Sequence, residues 1–89
     1  MFIFLDTETT GIDDDDRLCQ LAYKIEDRHT VNEFFNPRTD ITIDAMCVHH
    51  ITNEMVSQKP YFKGSPVAKK LQILLNDPEN YLVAHNAKF

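Results

Sequence analysis

The chain has 89 residues, 43% of them hydrophobic and 10% aromatic, which fits one globular domain and excludes an intrinsically disordered segment. Nine Lys and Arg against fourteen Asp and Glu give a formal charge of −5, which argues at first against a nucleic-acid partner. No apolar run reaches about 18 residues and no charged segment followed by an apolar stretch opens the chain, so a soluble cytoplasmic protein without membrane contact is expected.

The apolar run over residues 1–5 predicts a short strand buried on both faces, because a strand wet on one side would alternate with polar residues. Its end carries FLDTETTG, residues 4–11. Successive strand side chains point to opposite faces, so Asp6 and Glu8 project to one side and Thr7 to the other. Two carboxylates this close repel unless a proton or cation neutralises them, and hard oxygen ligands suit Mg²⁺ or Mn²⁺. The alternative is a strand end whose acids simply face water. Asp13, Asp14, Asp15 and Asp16 lack the glycine and closing glutamate of a calcium loop and read as a solvated loop tip. Six of the fourteen acids lie in this run and at Asp6 and Glu8, which weakens the objection from net charge.

Residues 18–25 alternate, with Cys19, Leu21, Tyr23 and Ile25 on one face and Gln20 and Lys24 on the other, and predict a second strand. A polar break over 26–29 precedes a third strand over 30–35, so the pair should form an antiparallel hairpin. After an irregular stretch over 36–43, Asp44 is expected to cap a short helix from Ala45 to His49 or His50, and Thr52 another turn through Val56. Ser65 and Pro66 start a clearer helix, on which Val67, Leu71, Leu74 and Leu75 recur at helical spacing until Asp77 and Pro78 end it. Residues 81–84 predict a fourth strand, parallel to one already in the sheet because a helix precedes it.

With only two glycines, the chain holds neither a dinucleotide-binding nor a P-loop glycine motif. Cys47, His49 and His50 fall short of four zinc ligands, the other thiol lying far upstream, and Cys19 and Cys47 read as reduced thiols, Cys19 buried. His49 suits stacking on a base or touching a phosphate, or else is a half-buried histidine with satisfied nitrogens. Residues 55–76 hold Lys59, Lys63, Lys69 and Lys70 and no acid, either a phosphate-facing patch or a solvated helix face.

Phe4-Leu5-Asp6-Thr7-Glu8-Thr9-Thr10-Gly11 resembles the first motif of the DnaQ-like, or DEDD, 3′-5′ exonucleases, the family that includes the proofreading epsilon subunit of bacterial replicative polymerase. Val48-His49-His50-Ile51-Thr52 resembles the family's V-H-G-I-T segment, with His50 where glycine is usual, and Leu82-Val83-Ala84-His85-Asn86-Ala87-Lys88-Phe89 resembles the start of its second motif, H-N-A-x-F-D. The resemblance implies an α/β, ribonuclease-H-like mixed sheet: three antiparallel strands, then a helix and a parallel strand. Residues 1–89 would be the N-terminal part of the exonuclease domain.

Carried over, Asp6 and Glu8 would bind the catalytic Mg²⁺ or Mn²⁺, two ions in the intact domain. Thr7, Thr9, Gly11 and Ile12 would line the pocket for the terminal nucleotide, His49 would contact it, and Asn86 and Phe89 would shape the floor beside the scissile phosphate. The family's third carboxylate would directly follow Phe89, and its fourth, with a histidine or tyrosine base, would lie further on. The expected function is removal of 3′-terminal nucleotides from single-stranded DNA or RNA by two-metal hydrolysis, beside DNA polymerase subunits in replication or repair, with this chain an incomplete and inactive fragment. The competing reading is a non-catalytic module that binds nucleic acid or a partner, including a second copy through an exposed strand edge.

Overall fold

The computed structural model describes residues 1–11, 17–26 and 28–85, His85 by its backbone alone. Strands β1 (Phe2–Thr9), β2 (Leu18–Ile25) and β3 (His29–Phe34) form an antiparallel meander, and β4 (Tyr81–His85) joins β1 in parallel. The sheet order is β3-β2-β1-β4. Between β3 and β4 run helices α1 (Ile43–His49), α2 (Asn53–Val56) and α3 (Pro66–Asn76). The expected mixed sheet is therefore present, with its parallel strand reached through α3.

Two expectations for β1 fail. The strand does not stop at Leu5 but runs through both acids to Thr9, because its alternation continues: Thr7 turns inward at 5% exposure, and pairing with β2 extends from Ile3↔Ile25 to Thr9↔Leu18, with a bulge after Glu8. Nor is it buried on both faces. Ile3 and Leu5 are buried, whereas Phe2 is 50% and Phe4 46% exposed. The helices pack on one side of the sheet, and no described residue covers the other.

On the covered side Ile3, Leu5, Leu21, Tyr23, Phe35 and Leu71 make one core, with Val67 and Leu74 of α3 and Phe62 against it. A second cluster gathers Ile41, Ile51 and Val56 on Cys19, with Ala45 and Met46 of α1. Each fully buried aliphatic side chain contributes about 1.5–3 kcal/mol. Leu75 departs from its expected place and is 41% exposed. At 3.6 residues per turn it lies about 80° round the helix from Val67, while Leu71 and Leu74 lie within about 40°.

The capping residue of α1 is Thr42 rather than Asp44: the Thr42 hydroxyl accepts the Ala45 N–H at 3.1 Å, and Asp44 sits in the first turn, where the helix dipole favours an acid. Thr52 and Ser65 cap α2 and α3 as expected, accepting from the N–H groups of Met55 and Ala68. His50 closes α1 in the left-handed conformation, φ 61°, its N–H donating to the Met46 carbonyl at 2.8 Å. That conformation is why glycine suits this position in the resembled motif.

Candidate active site

Alternation along β1 sets Asp6 and Glu8 on the open face of the sheet, Asp6 exposed and Glu8 half-buried, while the residue between them serves the core. Asp6 is opposite Ala22 on β2 and His85 on β4, so the acids lie where the parallel strand delivers its last residues. Asp77 and Glu79 are at the other end: the Met1 amino group donates to the Glu79 carbonyl at 2.9 Å, beside the start of β4.

The threonines that follow divide the structural work. Thr7 turns its hydroxyl into the core, where it has no hydrogen-bond partner among the described residues. Thr9 donates from its hydroxyl to the Gly11 carbonyl at 2.6 Å, tightening the chain past the bulge. Thr10 is fully buried. Its N–H donates to the Arg17 carbonyl at 2.9 Å, its hydroxyl accepts the Arg17 N–H at 3.0 Å, and its carbonyl accepts the Thr42 N–H at 2.9 Å. It thereby fastens the end of β1 to the approach to β2 and to the start of α1. Sequence reasoning gave this residue no role, and its only signal was a third threonine directly after the acidic pair.

His49 has both ring nitrogens hydrogen-bonded to backbone. The Ile51 N–H donates to Nδ1 at 3.0 Å, so Nδ1 is the unprotonated nitrogen and Nε2–H donates to the Thr9 carbonyl at 2.9 Å. Both nitrogens are spent on backbone, and the ring ties the end of α1 to the end of the acid-bearing strand.

Cys19 lies behind the acids, fully buried, its thiol 3.4 Å from the Glu8 carbonyl oxygen to which it donates. Burial pushes this thiol up to about 11, and the Glu8 charge adds to the shift. Burial likewise raises the Tyr23 phenol, whose hydroxyl has no partner among the described residues. Neither is a nucleophile at neutral pH. Cys47 is a free, exposed thiol on α1.

The structure thus brings together Asp6, Glu8, Thr9, Gly11 and His49 at one end of the sheet. Thr7 is adjacent in sequence but its side chain points to the opposite face, so it faces the site only through its backbone. Ile12, Asn86 and Phe89, and the acidic run at 13–16, lie outside the described residues.

Two carboxylates on the same side of one strand, the outer one exposed, fit a hard divalent cation. Mg²⁺ characteristically takes one or two carboxylates and completes its shell with water and substrate phosphate oxygens. Among the described residues no group of three or more His, Cys, Asp or Glu gathers into a metal cage.

An acidic pair at the end of the central strand of this mixed sheet, flanked by a parallel strand, belongs to the ribonuclease-H-like class, and solved exonucleases share the architecture. Exonuclease X, solved in complex with 5′ overhanging duplex DNA, superposes with a TM-score of 0.70 at 27% identity over 97% of this chain and 49% of its own. Exonuclease I, solved with an inhibitor, shares the fold with a TM-score of 0.77 at 20% identity, over 96% of this chain and 20% of its own. The sequence profile of the exonuclease family RNase_T matches residues 3–89, and the chain belongs to that family, the DnaQ-like exonucleases. Curated relatives include the DNA polymerase III subunit epsilon of Rickettsia felis, 30% identical over 98% of this chain and 39% of the relative. An uncharacterized exonuclease of Escherichia phage 186 is 36% identical over 68% of this chain and 32% of its own length. The chain therefore spans well under half the length of these relatives.

Proposed function

We propose that this chain carries the first half of a two-metal site for 3′-5′ exonucleolytic hydrolysis of single-stranded DNA or RNA. The observation that carries the reading is the placing of Asp6 and Glu8 on the open face of β1, with the strand end behind them held by Thr10 and His49. Asp6 and Glu8 would hold the Mg²⁺ or Mn²⁺ ions, which in such sites activate a water and steady charge on the phosphate and the leaving oxygen. Backbone groups of Thr7, Thr9, Gly11 and Ile12 would line the terminal-nucleotide pocket, with Asn86 and Phe89 at its floor. With both His49 nitrogens engaged, contact with a nucleotide would come through the face of the ring.

The chain spans 39% of the epsilon relative, which supports reading residues 1–89 as the N-terminal part of an exonuclease domain whose remaining ligands and base belong to sequence outside them. A DNA polymerase partner is proposed on the same relatives, and a cytoplasmic setting on the two free thiols. The test is degradation of a 5′-labelled single-stranded oligonucleotide with Mg²⁺ or Mn²⁺, comparing this chain, its Asp6→Ala variant and the longer protein proposed to contain it. Shortening from the 3′ end by the longer protein alone, abolished by Asp6→Ala, is the expected result. Cleavage that survives Asp6→Ala would refute the site.

A second reading, a non-catalytic module that associates through the open sheet, draws on the apolar surface of Phe2, Phe4, Tyr81 and Val83, each at least 46% exposed. Size-exclusion chromatography separates the two: a dimer lost on charging Phe4 favours the module.

A further inference from the structure

A cleft of about 280 Å³ opens at the same end of the sheet as the carboxylates, between the Asn36-Pro37-Arg38 turn after β3 and the segment that leads into α3. Arg17, Arg38 and Lys63 come to it from three separate stretches of chain, and none of the described residues lining it is acidic. We propose that this cleft is a second phosphate site, gripping a phosphodiester of the nucleic acid some nucleotides away from the end held at Asp6 and Glu8. The proposal rests on the nucleic-acid reading above and names a contact that reading does not need.

The cleft is built rather than incidental. Arg38 is held in the left-handed region, φ 57°, which a long side chain rarely adopts and which marks a conformation imposed by its surroundings. Its N–H donates to Asn36 Oδ1 at 2.8 Å. Asn36 is itself bolted across the cleft, its backbone N–H donating to the Pro60 carbonyl at 2.9 Å and its Nδ2 to the Ser57 carbonyl at 3.2 Å. The result is a guanidinium 4.6 Å from the centre of the Tyr61 ring. Stacking there uses the face of the guanidinium and leaves its edge N–H donors for an acceptor in the plane.

Arg17 is fixed from the other side: one guanidinium N–H donates to the Pro37 carbonyl at 3.3 Å, and its other donors have no partner among the described residues. Lys63 adds an exposed cation on the third segment. Two guanidinium groups and a lysine lining one cleft, with no acid among the described residues that line it, suit a phosphate. Four aspartates precede Arg17 in the chain, so the attraction is carried by donors at contact range rather than by the overall field, which salt screens over about 10 Å.

Arg17 is hydrogen-bonded to Thr10, two residues past Glu8, which puts the cleft at the same end of the sheet as the acids. Leu18 and Phe62 of the cleft pack on the covered face, so a strand running from Asp6 and Glu8 to the cleft passes around the end of the sheet.

The test measures binding of two probes in EDTA, where cleavage is stopped: a labelled single-stranded oligonucleotide, followed by anisotropy over a salt series, and inorganic pyrophosphate, followed by calorimetry. The combined variant Arg17→Ala, Arg38→Ala, Lys63→Ala should flatten the slope of log K against log salt by about 2, at about 0.7 per lost single-strand phosphate contact, and weaken oligonucleotides of any sequence alike. Lys63→Glu, a change at an exposed position that leaves the turn intact, should lower affinity in the same direction with an unchanged melting curve. Oligonucleotide binding with an unaltered slope in both variants overturns the cleft while leaving the nucleic-acid reading standing. Pyrophosphate binding that depends on these three residues, without any oligonucleotide binding, upholds the cleft as a phosphate site and sinks the nucleic-acid reading. Binding of neither probe overturns the cleft.

Discussion

The two faces of one sheet differ in every respect that matters here, although the same strands supply both. On the covered face Ile3, Leu5, Leu21 and Tyr23 are at most 3% exposed and α3 lies across them. On the open face Phe2, Phe4, Asp6 and Glu8 come from the same β1, and Phe2 stacks with Phe4 at 6.4 Å and meets Tyr81 at 5.6 Å between ring centres, in solvent. Stability is concentrated on one side and the candidate chemistry on the other. Because alternation alone separates them, a substitution at one β1 position should touch only one of the two properties.

The largest expected effect falls on the covered face. Leu21→Ala should cost about 2–5 kcal/mol by urea unfolding, since the residue is fully buried at the centre of the larger core. A loss below about 1 kcal/mol would mean the core is not held there. Across the sheet, Asp6→Ala should cost less unfolding free energy than Leu21→Ala while lowering metal-dependent cleavage in the longer protein by more than about 100-fold, because even second-layer partners of a metal are worth about 10–100-fold. A large stability loss with this variant would erase the division between the faces.

A smaller effect comes from Cys19, which touches both sides through its bond to Glu8. The folded thiol keeps its proton to about 11, against 9.0 for an ordinary one, so between those values the unfolded chain binds fewer protons and stability falls as pH rises. Below about 9 the contribution is complete. Cys19→Ala should shrink this alkaline decline, the remainder coming from the Tyr23 phenol that burial also raises, and a decline unchanged in the variant would assign it elsewhere. The smallest effect is expected from Phe4→Thr: at 46% exposure it should shift stability by no more than about 0.5 kcal/mol, and only under the second reading does it also reduce self-association in light scattering.

Much of this was legible in sequence because it depends on local rules. β2 was readable from strict alternation of Cys19, Leu21 and Tyr23, and α3 from Ser65 and Pro66 at its start, since a cap and a first-turn proline act over four residues. The acidic pair was readable because strand geometry places positions i and i+2 on one side wherever the strand lies. The length of β1 was not, because polar residues within a strand look like its end until the pairing with β2 is known. The cap of α1 was misplaced for a related reason, as Thr42 and Asp44 are both good caps and the choice between them rests on the backbone conformation at residue 42.

The sequence by itself determined the element types, the same-side placing of Asp6 and Glu8, and the exonuclease family, since these follow from periodicity and from motifs read in order. Only the tertiary structure decided that one face of β1 is open, that Thr10 and His49 spend their polar atoms on holding the site's backbone, and that Arg17, Arg38 and Lys63 share a cleft. Those facts depend on which distant segments meet, and hydrogen bonds between residues as far apart as Thr9 and His49 leave no periodic trace in the chain.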